Sequence, residues 1–125
     1  MPFNGTYKLE SQKNFETLME RIGVPKDKLQ NTKESTCEII QNGKNFKITI
    51  TTAGQSVTNE FTVGKEAEIK TLTGDTIKTV VQMDGEKKLI VNMKGLESVT
   101  EINGDMLINT MTLGDIKCER ISKRV

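Results

Sequence analysis

Arg120 stands out among the residues of this chain that could do chemistry. Segment 116–123 alternates in polarity with a period of two, as a strand does, and its lysines and Glu119 mark the solvent face. The other face carries Ile116, Cys118, Arg120 and Ser122. A buried guanidinium without a partner costs about 3–5 kcal/mol. We therefore expect an anion or ordered water beside Arg120.

The two preceding segments can supply polar groups near Arg120. Both faces of the strand predicted over 106–113 are fairly apolar, and one of its two orientations brings Asn109 close to Arg120 across the hairpin. In the strand before it, Ser98 and Thr100 face inward if Glu101 is solvated, because successive side chains alternate between the two faces. No carboxylate of the same parity lies nearby, so a ligand is expected to supply the anion. A β-bulge in the last strand would instead turn Arg120 to solvent.

Regularly spaced glycines predict the framework that positions these groups. Eight of the ten glycines stand at 43, 54, 64, 74, 85, 95, 104 and 114, so the chain turns about every ten residues. Asn42-Gly43, Asp84-Gly85 and Asn103-Gly104 are favoured hairpin turns. Nine alternating segments follow from about Cys37, and one precedes them near Tyr7. Ten sequential strands favour closure, which predicts an all-β, ten-stranded antiparallel up-and-down barrel.

A barrel of ten strands is wide enough to enclose a cavity. Its wall opposite Arg120 is predicted to be apolar. One cation, several hydroxyl and amide groups and an apolar wall suit an amphipathic anion with a long hydrocarbon body. The candidate ligand-binding residues are Arg120, Ser122, Asn109, Thr100, Ser98, Met111, Phe46, Ile48, Ile50, Phe61, Leu72 and Met93. Met111, Met93 and Met106 also suit simple core filling.

Residues 14–33 interrupt the strand pattern and predict a helix-turn-helix. Asn14 is a suitable N-cap, Gly23 a suitable stop, and Pro25 suits the first position of a second, shorter helix. The apolar stripe of the first helix is Phe15, Leu18, Met19 and Ile22. The pair is expected to form a lid over one barrel end, and its stripe equally suits completion of the core. A DNA-binding role is much weaker, because basic residues do not gather on a recognition helix.

Composition excludes several classes of function. The chain has 125 residues, a formal net charge of +1, no His and two Cys, which fits a single domain over 1–125. Without His, Ser-His and Cys-His nucleophiles are excluded, and we expect no catalytic residues, no metal site and no cofactor. Cys37 and Cys118 are expected to be buried thiols. Neither a membrane-spanning helix nor a signal peptide is predicted, and nucleic acid is not an expected partner.

Several segments resemble the intracellular fatty-acid-binding proteins, most closely the liver-type branch, over the whole chain. They are GTYKL at 5–9, NFE at 14–16, NEFTVG at 59–64, KTVVQ at 78–82, SVTE at 98–101, NTMTLGDI at 109–116 and RISKR at 120–124. The resemblance implies a β-clam, a ten-stranded barrel capped by two helices around a cavity. It also implies that Arg120, as the last-strand arginine, holds the ligand carboxylate. Many relatives have a Tyr at the position of Ser122 and a second Arg at the position of Thr100. In having Ser and Thr there, this chain resembles the liver type.

Two features depart from the liver type. The chain is two residues shorter between the second helix and Cys37, and Cys37 stands where the liver type usually has Ser. VTN at 57–59 and KEAE at 65–68 resemble instead the related bile-acid-binding branch.

The resemblance therefore implies a non-catalytic, monomeric carrier in the cytoplasm. Its expected ligands are long-chain fatty acids, with acyl-CoA and bile salts as further candidates. The alternative function is a bile-acid carrier. Lys26, Lys28 and Lys33 are candidates for transient contact of the lid with a membrane surface.

Overall fold

The computed structural model describes residues 3–23, 34–52, 55–70, 76–93 and 95–125. This part of the chain forms one helix, α1 (Phe15–Ile22), and eleven strands. The strands are β1 (Gly5–Lys13), β2 (Ser35–Asn42), β3 (Asn45–Thr52), β4 (Gln55–Thr62), β5 (Glu66–Lys70), β6 (Thr76–Val80), β7 (Gln82–Met83), β8 (Lys88–Met93), β9 (Leu96–Asn103), β10 (Met106–Leu113) and β11 (Ile116–Arg124). Within the described residues, no helix is long and apolar enough to cross a membrane.

The strands form a strongly curled antiparallel sheet. Nine strands are hydrogen-bonded in the order β4-β3-β2-β1-β11-β10-β9-β8-β7, and β5 and β6 form a second sheet. The pairing of β1 with β11 joins the two ends of the chain. One predicted strand is divided at Val81, because β6 pairs with β5 whereas β7 pairs with β8. The predicted all-β, β-clam architecture is confirmed. The division of this strand into β6 and β7 gives eleven strands where ten were predicted.

The side chain of Asn59 links the two sheets. Its Oδ1 accepts a hydrogen bond of 2.8 Å from the backbone N–H of Lys70, and its Nδ2 donates one of 3.3 Å to the Lys70 carbonyl. An amide side chain can imitate a peptide group in this way, with one donor and one acceptor. Asn59 therefore stands in for a rung of the ladder between β4 and β5.

Two of the predicted hairpin turns are shifted by one residue. Asn42 pairs with Asn45 and Asn103 with Met106, so the loop residues begin with the glycine that follows each asparagine. Gly43 and Gly104 have φ angles of 65° and 62°. Positive φ at the first loop position is strained for residues with a Cβ, which explains why glycine occupies that position.

Helix α1 has the predicted apolar stripe but a different start. Asn14 is at the N-cap position in a left-handed conformation, with φ 59°, and makes no side-chain cap. Its Nδ2 instead donates a hydrogen bond of 3.0 Å to the carbonyl of Lys117 on β11. Gly23, with φ 97°, ends the helix as predicted. The predicted second helix from Pro25 lies outside the described residues.

The buried side chains form two clusters. The larger lies within the barrel and is built around an aromatic group of Phe3, Phe46 and Phe61. The smaller lies beneath α1, where Phe15, Leu18, Met19, Leu96 and Cys118 are buried together. The helix thus docks on the strand that carries Arg120.

Candidate functional site

A cavity of about 340 Å³ lies inside the curled sheet. Ten of the candidate residues line it: Arg120, Ser122, Asn109, Thr100, Ser98, Met111, Ile48, Ile50, Phe61 and Met93. The helix contributes Phe15, Met19 and Ile22, so the stripe of α1 both lines the cavity and completes a core cluster. The volume falls within the usual range of ligand pockets, roughly 300–1,000 Å³.

The other two candidate residues, Phe46 and Leu72, are not among the described residues that line the cavity. Phe46 does not line this cavity. It is 3% exposed, with its ring stacked on Phe61 and edge-on to Phe3. Leu72 lies outside the described residues, as do the three lysines suggested for membrane contact.

Arg120 is half-buried on β11 and points into the cavity. β11 keeps an unbroken register with β10 from Leu113–Ile116 to Met106–Lys123, so a bulge that would turn Arg120 outward is not present there. Burial lowers the pKa of Arg120. Guanidinium groups remain charged in proteins even so. The cavity therefore contains a fixed positive charge beside an apolar wall.

A β-bulge does occur near the site, but on the opposite strand. The pairing of β1 with β11 shifts between Leu9 and Ser11, leaving Glu10 as the extra residue. Simple alternation from Tyr7 and Leu9 would turn Ser11 inward. After the bulge, Gln12 lies opposite Arg120 instead, and its Oε1 accepts a 3.2 Å hydrogen bond from Nε of Arg120.

The helix supplies a second neighbour of Arg120. The guanidinium carbon lies 4.3 Å from the centroid of the Phe15 ring. A cation over an aromatic face is stabilised by about 0.5–2 kcal/mol, with the larger values at desolvated sites. The helical period of the sequence predicts Phe15 on the buried stripe, but no local pattern indicates this contact, because it depends on how the helix docks.

A group of polar side chains adjoins Arg120 on β9 and β10. Asn109 pairs with Arg120 on one side and with Thr100 on the other. Its Nδ2 lies 3.0 Å from Oγ1 of Thr100 and 3.2 Å from Oγ of Ser98. The inward orientation of Asn109, one of two left open by the sequence, is the one observed. Together these groups offer hydrogen bonds to an anion held at Arg120.

Both cysteines are free thiols close to this charge. Burial raises the pKa of the Cys37 thiol to about 12, and the positive charge of Arg120 opposes part of that rise. Burial likewise raises the pKa of Cys118, against the same opposing charge. Cys37 also lines the cavity. It therefore presents a neutral S–H group, a weak hydrogen-bond donor, at the wall.

We expect the Cys37 thiol to make stability fall at high pH. Its pKa in the folded protein, about 12, exceeds the ordinary value of 9.0. The folded state thus binds the proton more tightly. Its contribution to stability is complete below pH 9 and is lost as the pH rises toward 12. The loss approaches about 1.4 kcal/mol per pH unit.

Urea unfolding of wild type and Cys37→Ala at pH 8.5 and 10.5 measures this loss of stability. An equal fall in the free energy of unfolding of the two proteins between these pH values would contradict the expectation.

Comparison with known proteins identifies the chain's relatives. A model described as the lipocalin / cytosolic fatty-acid binding protein family matches residues 1–125. The chain belongs to this family. The resemblance inferred from the sequence motifs is therefore confirmed.

Relatives in this fatty-acid-binding protein family match the chain over its full length. The liver fatty acid-binding protein of Sus scrofa is 54% identical over 127 residues, covering 100% of both chains. The liver-type fatty acid-binding protein of Epinephelus coioides is 54% identical over 128 residues, also covering 100% of both.

Solved structures of family members share the fold. A zebrafish ileal bile acid-binding protein complexed with cholic acid is similar with a TM-score of 0.85 and 34% identity, covering 100% of each chain. A fatty acid transporter, REP1-NXSQ, has a TM-score of 0.88 and 31% identity, over 98% of this chain and 95% of that one. The family thus includes binders of both ligand classes that the sequence left open.

Proposed function

We propose that this chain is a non-catalytic carrier of long-chain fatty acids. The observation that carries the proposal is a charged, half-buried Arg120 facing an otherwise largely apolar cavity of about 340 Å³. A carboxylate at the guanidinium would be oriented by charge-assisted hydrogen bonds. Each methylene buried along the apolar wall would add about 0.8 kcal/mol to the binding free energy.

The neighbouring polar groups fit this role. Ser98, Thr100, Asn109 and Ser122 line the same cavity as Arg120 and can accept or donate hydrogen bonds to the head group or to ordered water. Neither cysteine supplies an activated nucleophile, because burial raises the pKa of both thiols. The carrier would act as a monomer in the cytoplasm, in keeping with the cytosolic family.

The relatives favour fatty acids over bile acids as ligands. The liver-type fatty acid-binding proteins are about half identical to the chain, whereas the ileal bile acid-binding protein is 34% identical. Acyl-CoA binding and transient membrane contact stay predictions, and the lysines proposed for the latter lie outside the described residues.

Native mass spectrometry of the purified, undelipidated protein, followed by titration with oleate and cholate, tests the proposal. We expect co-purified fatty acid, displaced by oleate at lower concentration than by cholate. Tighter binding of cholate than of oleate would favour the alternative function, a bile-acid carrier. Absence of binding to either ligand would refute the carrier function.

A further inference from the structure

Two residues outside the polar cluster of β9 and β10 hold the guanidinium of Arg120. Gln12 on β1 accepts a hydrogen bond from Nε at 3.2 Å. Phe15 on α1 lies against the guanidinium, 4.3 Å from ring centroid to central carbon. Gln12 thus contacts Nε of the guanidinium, and the ring of Phe15 lies against its central carbon. We call this pair the guanidinium cradle.

The position of Gln12 depends on the bulge at Glu10. Without that extra residue, the register of β1 against β11 would continue from Leu9–Ser122 and Gln12 would face away from the cavity. Bulges often re-aim a side chain next to a functional site. Here the re-aimed side chain meets the cation of the cavity.

The position of Phe15 depends on the docking of α1. Phe15 is 3% exposed and is packed with Leu18 and Met19, which are 0% and 1% exposed. Just before it, Asn14 is tied to β11 by its 3.0 Å hydrogen bond to the Lys117 carbonyl. The ring is therefore fixed relative to the strand that carries Arg120.

The cradle and a bound carboxylate are geometrically compatible. A guanidinium binds a carboxylate through N–H groups in its own plane and stacks on an aromatic ring through its face. Its long side chain otherwise samples many rotamers. Restricting it before the ligand arrives reduces the entropy lost on binding.

We propose that Gln12 and Phe15 are positioning residues that preset Arg120 for an anionic head group, and that Phe15 couples occupancy of that site to the docking of α1. The inference rests on the proposed carrier function. If Phe15 docking favours carboxylate binding, carboxylate binding must stabilise the docked helix by the same factor, because binding couplings are reciprocal.

The test compares two ligands with the same hydrocarbon chain, oleate and oleyl alcohol, by calorimetric titration. Phe15→Leu keeps an apolar side chain and removes the aromatic face, whereas Phe15→Tyr keeps it. Gln12→Met removes the acceptor at similar length. Leu18→Met is the matched control, a volume-conserving change at a buried residue of α1 that does not line the cavity. Thermal unfolding of each variant establishes that it is folded.

We expect Phe15→Leu and Gln12→Met each to weaken oleate binding by about 5–20-fold, with oleyl alcohol affected less than about twofold. Phe15→Tyr and Leu18→Met should bind both ligands nearly as wild type does. Oleate, but not oleyl alcohol, should also slow amide hydrogen exchange in α1 of wild type, and this protection should be lost in Phe15→Leu.

Equal weakening of both ligands would show that Phe15 only packs against the chain of the lipid, and unchanged oleate affinity would remove the positioning role. If Arg120→Gln weakens oleate binding while the cradle variants do not, the inference fails and the carrier function stands. If Arg120→Gln and wild type bind oleate equally, the role of Arg120 fails and the cradle falls with it.

Discussion

Replacing Arg120 by Gln is expected to weaken oleate binding by about 10–100-fold, the loss of one or two charge-assisted hydrogen bonds. Binding of oleyl alcohol should change little, because the apolar wall stays intact. The ligand-free variant should be as stable as wild type or more so. Arg120 is half-buried and its pKa is lowered by burial, so removing the charge relieves a desolvation penalty.

Lys117→Gln is the matched control for Arg120→Gln. Lys117 lies on the same strand and is exposed on the opposite face, so the same loss of charge should leave affinity and stability unchanged. Calorimetric titration measures the affinity, and urea unfolding measures the stability. An Arg120→Gln protein that keeps the wild-type affinity and the wild-type position of the oleate carboxylate, seen by NMR, would overturn the assigned role.

Phe46→Ala is expected to lower the free energy of unfolding by about 3–5 kcal/mol, as for other large buried aromatics. The Phe46 ring is stacked 5.2 Å from that of Phe61 and meets that of Phe3 edge-on at 5.7 Å. Both contacts to the aromatic core are lost with the ring. Because Phe46 does not line the cavity, oleate affinity of the folded variant should stay within about threefold of wild type.

Ile48→Ala provides the comparison, since Ile48 is two residues along the same face of β3 and does line the cavity. It is only half-buried, so its truncation should cost less stability and more affinity than that of Phe46. Urea unfolding and oleate titration of both variants separate the roles. If Phe46→Ala lost more oleate affinity than Ile48→Ala, Phe46 would be a ligand-binding residue, contrary to this expectation.

The sequence by itself determined the class of fold and part of the cavity wall. Strand alternation and turn-forming glycines are local signals, because side-chain direction follows a period of two and positive φ favours Gly. They predicted an inner face with Arg120, Ser122, Thr100 and Ser98, and the unbroken register of β11 with β10 then excluded the alternative of a bulge at Arg120. The helix stripe around Leu18 was predictable for the same reason.

Tertiary structure decided the details that depend on how elements meet. The bulge at Glu10 reversed the parity of β1 and brought Gln12 to Arg120, and no local pattern marked it. The ring of Phe46 packs against Phe3 and Phe61 in the core and does not line the cavity. Asn59 acquired its role only because β4 and β5 separate by enough for a side chain to span them.

The surroundings of Arg120 show this division most clearly. Its inward orientation follows from the alternation of one strand, which neighbouring charges in the sequence reveal. Its partners are Gln12, which lies 108 residues earlier in the sequence, and Phe15 on the docked helix. Contacts between residues so far apart in sequence are set by the global packing of the barrel, which a periodic pattern does not encode. The sequence therefore determined that a cation faces the cavity, and the tertiary structure decided what holds it there.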